Sequence, residues 1–163
     1  MIRRAGAGDL AAIMAIETTT FADDAWSAET MRAELASEHA FYLVDDEGGA
    51  VVGYAGLLAP AGASEGDIQT IAVAAAARGR GRGRALMDAL GAEARRRGVR
   101  ELFLEVRADN PLARSLYASL GFERIAERPH YYQPDDVAAI VMRSTLAGQP
   151  ALADPGETSE ATA

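Results

Sequence analysis

At 163 residues, 49% of them apolar, the chain is long enough for one domain with a real core, too short for two, and too apolar to be disordered throughout. A formal charge of −8 at pH 7 argues against general binding to nucleic acid and suits a basic partner such as a cationic peptide or amine, although modest negative charge also keeps small proteins in solution. There is no cysteine and no lysine, which excludes disulfides, thiolate metal sites, a cysteine nucleophile, a Walker-A phosphate loop and Schiff-base chemistry.

The stretch Met1-Ile2-Arg3-Arg4 lacks a signal-peptide core, and no apolar run approaches a membrane span, so a cytoplasmic location away from membranes is expected. After a short first strand, Asp9 is placed to cap a helix with Leu10, Ile13, Met14 and Ile16 on its apolar side. FADDAWSAET breaks that helix, and Ser27 caps the next, with Glu29 near its positive end and Met31 and Leu35 as its buried stripe. FYLVDDEGGAVVGYAGLL reads as a hairpin, and DIQTIAV as the following strand. Residues 77–86, ARGRGRGRAL, then open a helix through Leu86 and Leu90 that ends at Gly98. In the strand RELFLEV, Leu102, Leu104 and Val106 share one face, Phe103 and Glu105 the other.

Asn110–Pro111 starts a further helix, with Leu112, Leu116 and Leu120 as its buried stripe and Gly121 as its end. A strand-like stretch from Phe122, the segment RPHYYQPDD and a last strand around AAIVMR complete a domain over 1–146. Residues 147–163 carry Pro, Gly, Ser, Thr and acids without a base and show no periodicity, so a disordered tail is expected there. The order βααββ–β–α–β–α–ββ predicts a single α/β domain around a mixed sheet. His39 and His130 lie far apart and form no ligand motif, so no metal is expected.

ARGRGRGRAL has three physical readings: a disordered RNA-binding segment, a solvated basic turn, or an anion-binding turn. Its place between a strand and a helix disfavours the first. Glycines let the backbone turn sharply and approach a ligand, and the first amides of the helix, with its positive dipole end, form an anion site. Arginines add paired donors for phosphate. The spacing does not fit the dinucleotide fingerprint G-x-G-x-x-G.

Arg78-x-x-Gly81-x-Gly83 resembles the R/Q-x-x-G-x-G/A motif of the GCN5-related N-acetyltransferases (GNAT), whose fold has a mixed, mostly antiparallel central sheet flanked by helices. Arg80-x-x-Gly83-x-Ala85 also satisfies the pattern, but the distance from DIQTIAV favours the first frame. Four segments, FADDAWSAETMRAEL, DIQTIAV, LEVRADNPLARSLYASLGF and RPHYYQPDDVAAIVM, resemble the ribosomal-protein alanine N-acetyltransferases (RimI type). AAAARGR after DIQTIAV departs from the bulkier, more polar run usual there.

The resemblance implies acetyl-CoA as co-substrate and a protein N-terminus, that of a ribosomal protein beginning with alanine, as acceptor. It assigns Arg78, Gly79, Arg80, Gly81, Arg82, Gly83 and Arg84 to the pyrophosphate turn, with Arg80, Arg82 and Arg84 dividing between CoA phosphates and solvent. Ile71 and Val73 would pair with the pantetheine arm through main chain at a bulge, and Asn110 would contact CoA besides capping its helix. Glu105 matches the general base, and burial at its strand end would raise its pKa. The other reading of Glu105 is a solvated strand-end carboxylate. Tyr117 matches the general acid for the CoA thiolate, or else packs its helix; a phenol of pKa about 10 stays protonated. Trp26, Tyr131 and Tyr132 fall in expected loops, where they either flank an acceptor peptide or pack on the core. The same fold with a lysine or small-amine acceptor, and a non-catalytic acetyl-CoA-binding module, are the rival functions.

Overall fold

The computed structural model describes residues 1–146, so the disorder expected for 147–163 lies outside the described residues. Alternating apolar strands build one sheet of seven, in the order β1-β2-β3-β4-β5-β7-β6. In the chain these are β1 (Ile2–Arg4), β2 (Ala40–Glu47), β3 (Ala50–Leu58), β4 (Glu65–Val73), β5 (Glu101–Arg107), β6 (Glu123–Tyr132) and β7 (Val137–Thr145). The helices are α1 (Leu10–Phe21), α2 (Ala28–Ala36), α3 (Arg82–Arg96) and α4 (Pro111–Ser119). Only β4 and β5 pair in parallel, so the expected mixed, mostly antiparallel α/β architecture is the one that forms.

The two faces of the sheet are covered unequally. Leu86 and Leu90 of α3 and Tyr117 of α4 pack with Leu57, Leu102, Leu104, Val106 and Ile140. On the other face Ile13 and Ile16 of α1 and Met31 of α2 pack with Tyr42, Val44, Tyr54 and Ala72. The helices α1 and α2 sit over β2, β3 and β4, and the face of β5, β7 and β6 continues beyond them. Among the described residues no helix is long and apolar enough to cross a membrane.

Between β3 and β4 the register slips. Gly56 lies opposite Thr70 and Leu57 opposite Ile68, which leaves Gln69 as the extra residue of a bulge. The bulge reverses the facing of β4. Ile68 packs under α3 and α4, whereas Ala72 joins the α1–α2 side and Ile71 and Val73 return to the first core. At the same place β4 parts from β5, since their pairing ends at Asp67 opposite Phe103.

Local sequence signals mostly act as expected. The Ser27 hydroxyl accepts from the Thr30 amide, the Asn110 side chain accepts from the Ala113 amide, and Gly98 and Gly121 end α3 and α4 at φ +84° and +93°. Three expectations fail. Asp9 does not cap α1; its carboxylate is taken by the guanidinium of Arg3 and the amide of Gly6. Leu112 is 85% exposed, and the inward side of α4 is instead Ala113, Leu116, Tyr117 and Leu120, because α4 meets the sheet one position round from the leucine spacing. Tyr131 and Tyr132 are not in a loop but at the end of β6, which pairs with β7 as far as Tyr132 opposite Val137.

Candidate active site

The glycine–arginine run forms a turn into α3. Gly79 and Gly81 sit at φ +81° and +76°, a conformation that side-chain-bearing residues rarely adopt, and a Cβ on either would meet nothing within 4 Å. The need for glycine there is conformational rather than steric. Gly81 is the N-cap of α3, and the first bond of the helix runs from the Ala85 amide to the Gly81 carbonyl at 3.0 Å. The amides of Arg82, Gly83 and Arg84 therefore point out of the helix start without internal partners. Gly83 is helical and would tolerate a Cβ, since its nearest neighbour, Leu116, lies at 3.5 Å. In the frame Arg78-x-x-Gly81-x-Gly83 the first glycine is thus conformationally required and the second is replaceable. An amide array at the positive end of a 15-residue helix, with open space before it, fits a pyrophosphate.

The four arginines divide differently from the expectation. Arg78 Nε donates to the Val73 carbonyl at 2.8 Å and ties the turn to the end of β4. Arg82, 18% exposed, is taken up by carboxylates of β2: it donates to Asp45 Oδ2 and Glu47 Oε2, both at 2.8 Å. Arg84 donates to Ser119 Oγ on α4 at 2.6 Å. Arg80 alone makes no side-chain hydrogen bond or ion pair among the described residues. A strand carboxylate close to the helix start captures the nearest guanidinium, a pairing that sequence spacing does not display.

Where β4 and β5 part, a cleft of about 680 Å³ opens. Trp26, Glu105, Tyr131 and Tyr132, from three distant segments, all line it. So do Ile68 and Leu104, which belong to the core under α3 and α4, so the cleft reaches the splay between the strands. Its charged walls are Asp24, Glu65, Asp67 and Glu105 against Arg128. Such a surface attracts a cation, and its aromatic rim can pack a chain beside it.

Glu105 is not buried as expected. Its side chain is 29% exposed and pairs with Arg128, Nε to Oε1 at 3.2 Å, so it is a cleft carboxylate in contact with solvent. The neighbouring Asp67 has its pKa raised by burial first and by the charges of Glu65 and Glu105 second. Accepting from the Tyr131 hydroxyl, Glu105 also helps push that phenol up; burial pushes Tyr132 to about 12.

Tyr117 does not line the cleft. It lies on α4 in the core, 8% exposed, edge-on to Phe122, and burial pushes its pKa to about 12. Asn110 is exposed at the start of α4, where its side-chain oxygen is used by the cap and, among the described residues, its amide nitrogen makes no hydrogen bond.

Sequence reasoning passed over Asp67, Gln69, Arg107, Arg128 and Glu17. Alternation within DIQTIAV was the available signal for Asp67, which stands two residues before the bulge on the face that Glu105 occupies. Glu17 had no signal. It falls on the apolar side of α1, 1% exposed, with its carboxylate receiving the Tyr54 hydroxyl and the Trp26 amide.

A splayed sheet with a turn of unpaired amides on one side and an acidic cleft on the other is suited to bringing a phosphate-bearing donor to a basic acceptor. Residues 10–122 match the model of the acetyltransferase (GNAT) family, and the chain belongs to that family. It is 40% identical over 123 residues to the N-alpha-acetyltransferase RimI of Mycobacterium tuberculosis, covering 74% of this chain and 76% of that one. The crystal structure of the ribosomal-protein-S18-alanine N-acetyltransferase from Escherichia coli matches with a TM-score of 0.82 at 32% identity, over 92% of this chain and 97% of that one. A Salmonella typhimurium structure, yncA, solved with its cofactor acetyl-CoA, matches at 0.78 and 25% identity, over 93% and 96%. The chain is thus an acetyl-CoA-dependent N-acetyltransferase of the GNAT/RimI type.

Proposed function

We propose that the enzyme acetylates the N-terminal α-amine of a protein, a ribosomal protein beginning with alanine, by direct transfer in a ternary complex. One observation carries this reading: Glu105, Trp26, Tyr131 and Tyr132 converge on one acidic cleft at the splay of β4 and β5. Four carboxylates against one arginine favour an ammonium, and the open aromatic rim gives a peptide room to lie. The name of the Escherichia coli neighbour supports the choice of alanine.

In this reading the turn from Arg78 to Gly83 holds the pyrophosphate by main-chain amides, Ile71 and Val73 pair with the pantetheine arm, and Asn110 donates to CoA. Acetyl-CoA supplies an activated thioester. The α-ammonium has a pKa near ~8 and is mostly unreactive at neutral pH. Glu105, directly or through water, takes one proton, and the freed nitrogen lone pair attacks the thioester carbonyl. The C–N bond forms and the C–S bond breaks. The second proton passes from the nitrogen to water, and the Tyr117 hydroxyl protonates the departing sulfur before regaining a proton from solvent. There is no cysteine to carry the acetyl group, which supports direct transfer.

The test offers acetyl-CoA with three acceptors: alanine-initiated peptides, the same peptides blocked at the N-terminus but carrying lysine, and polyamines. Products are located by mass spectrometry. Acetyl on the α-amine of the first set is expected. Turnover confined to lysine or polyamine would replace this acceptor with the rival one. Absence of any turnover, with acetyl-CoA still bound, would favour the non-catalytic module.

A further inference from the structure

Arg107 ends β5 two positions beyond Glu105, and so on the same face of the strand. Its guanidinium gathers carboxylates from three separate connections. Nη1 donates to Asp24 Oδ2 at 2.6 Å, between α1 and α2. Nε and Nη2 donate to Asp109 Oδ1 and Oδ2 at 3.0 and 3.1 Å, between β5 and α4. Nη2 also donates to Asp135 Oδ2 at 3.1 Å, between β6 and β7. The same cation lies over the Tyr132 ring, with Cζ 5.2 Å from the centroid.

Two of these partners, Asp24 and Tyr132, belong to the walls of the cleft. Asp24, Tyr132 and Gln133 line it, and Asp135 follows two residues after Gln133. Three carboxylates brought to one place repel unless a cation stands among them, and a planar fork with five donors can satisfy them together. No side-chain hydrogen bond joins Arg107 to the glycine–arginine turn.

We infer that Arg107 is a positioning residue for the acceptor. It holds the Asp24 wall and the Tyr132–Asp135 wall at a fixed separation around Glu105, touching neither the acetyl group nor the acceptor amine. This rests on the cleft being the acceptor site. An ammonium in place of the fork cannot hold three acids and cover Tyr132 at once, so Arg107→Lys is no conservative change.

The experiment compares Arg107→Met, Arg107→Lys and Asp135→Asn with wild type. It measures peptide kinetics, acetyl-CoA affinity by calorimetry, and hydrogen exchange over residues 22–26 and 130–136. For both Arg107 variants the peptide KM is expected to rise roughly tenfold to a hundredfold, with kcat falling less than about threefold and acetyl-CoA affinity within about threefold of wild type. Exchange should quicken in both segments. Asp135→Asn alters an exposed side chain and should show the same signature at smaller size, which decides the matter if the Arg107 variants do not fold. Peptide KM and exchange equal to wild type would overturn the inference, as would equal losses of peptide and acetyl-CoA binding. Should wild type turn over no α-amine peptide, the acceptor reading falls, and exchange in the two segments alone decides whether Arg107 clamps them.

Discussion

In the proposed reaction the turn before α3 holds the donor and the cleft beside β5 takes the acceptor, and the two are built by opposite means. The turn is made of consecutive residues and works through main chain: two glycines at φ +81° and +76° and a row of unpaired amides. The cleft is made of side chains delivered from α1–α2, β4, β5 and the end of β6. A backbone site constrains which residues can stand at fixed spacing, so it marks the sequence locally. A side-chain site constrains only what arrives in space.

The largest effect expected from that division falls on the cleft. Glu105→Gln keeps the shape of the side chain and removes its basicity, so kcat should fall by about 10²–10⁴ if it is the general base. Acetyl-CoA affinity, measured by calorimetry, should stay as it is, because among the described residues no side-chain hydrogen bond or ion pair joins the turn to Glu105. A variant with near-normal kcat would move the base elsewhere, and Asp67, with its raised pKa on the same face, is the carboxylate to substitute next.

Next in size is the complementary break on the turn. Gly81→Val forces a β-branched residue into the left-handed region at a cost of about 1–3 kcal/mol, which corresponds to roughly a 5–150-fold loss of acetyl-CoA affinity if the strained turn is the binding conformation. Gly83→Ala is the control: its added methyl meets Leu116 at 3.5 Å in a helical backbone, and affinity should change little. Equal losses from both would mean that the turn binds through space rather than through conformation.

A smaller effect concerns pH. Burial pushes the Tyr117 phenol to about 12, so its donor form is fully present below that value and is lost only above it. The kcat profile of wild type should therefore show no fall between pH 8 and pH 10 that Tyr117→Phe removes. Such a fall would mean that Tyr117 titrates as an ordinary exposed phenol, and that its burial in the core does not describe the working enzyme.

These contrasts explain what could be read before the structure. The hairpin, the caps at Ser27 and Asn110 and the glycine ends of α3 and α4 depend on neighbours in sequence, and they were legible. So was the glycine turn that opens α3. The leucines of α4 misled because spacing gives the existence of a stripe but not its rotation against the sheet, and Leu112 fell outside it. Arg82 was read as a phosphate or solvent arginine because its partners, Asp45 and Glu47, lie on β2, far away in sequence. The clamp around Arg107 was invisible for the same reason, although Asp24, Arg107, Asp109 and Asp135 all stood within quoted motifs.

The smallest effect expected tests how the acceptor side is held from within. Glu17 is buried beneath the Trp26 segment beside Tyr54, and Tyr42 also senses its charge; desolvation raises its pKa above the ordinary 4.5. A carboxyl raised on folding contributes stability that is fully present below its unfolded pKa. That contribution is lost as pH climbs through the folded value, because the unfolded chain releases the proton first. Glu17→Gln removes the titration while keeping an oxygen for the Tyr54 hydroxyl. The melting temperature of the variant relative to wild type should therefore improve from pH 5 to pH 8, by about 2–4 °C per kcal/mol recovered in a chain of this size. A difference that stays constant across that range would show that Glu17 is not held protonated, and that the Trp26 wall is anchored by charge on both its sides.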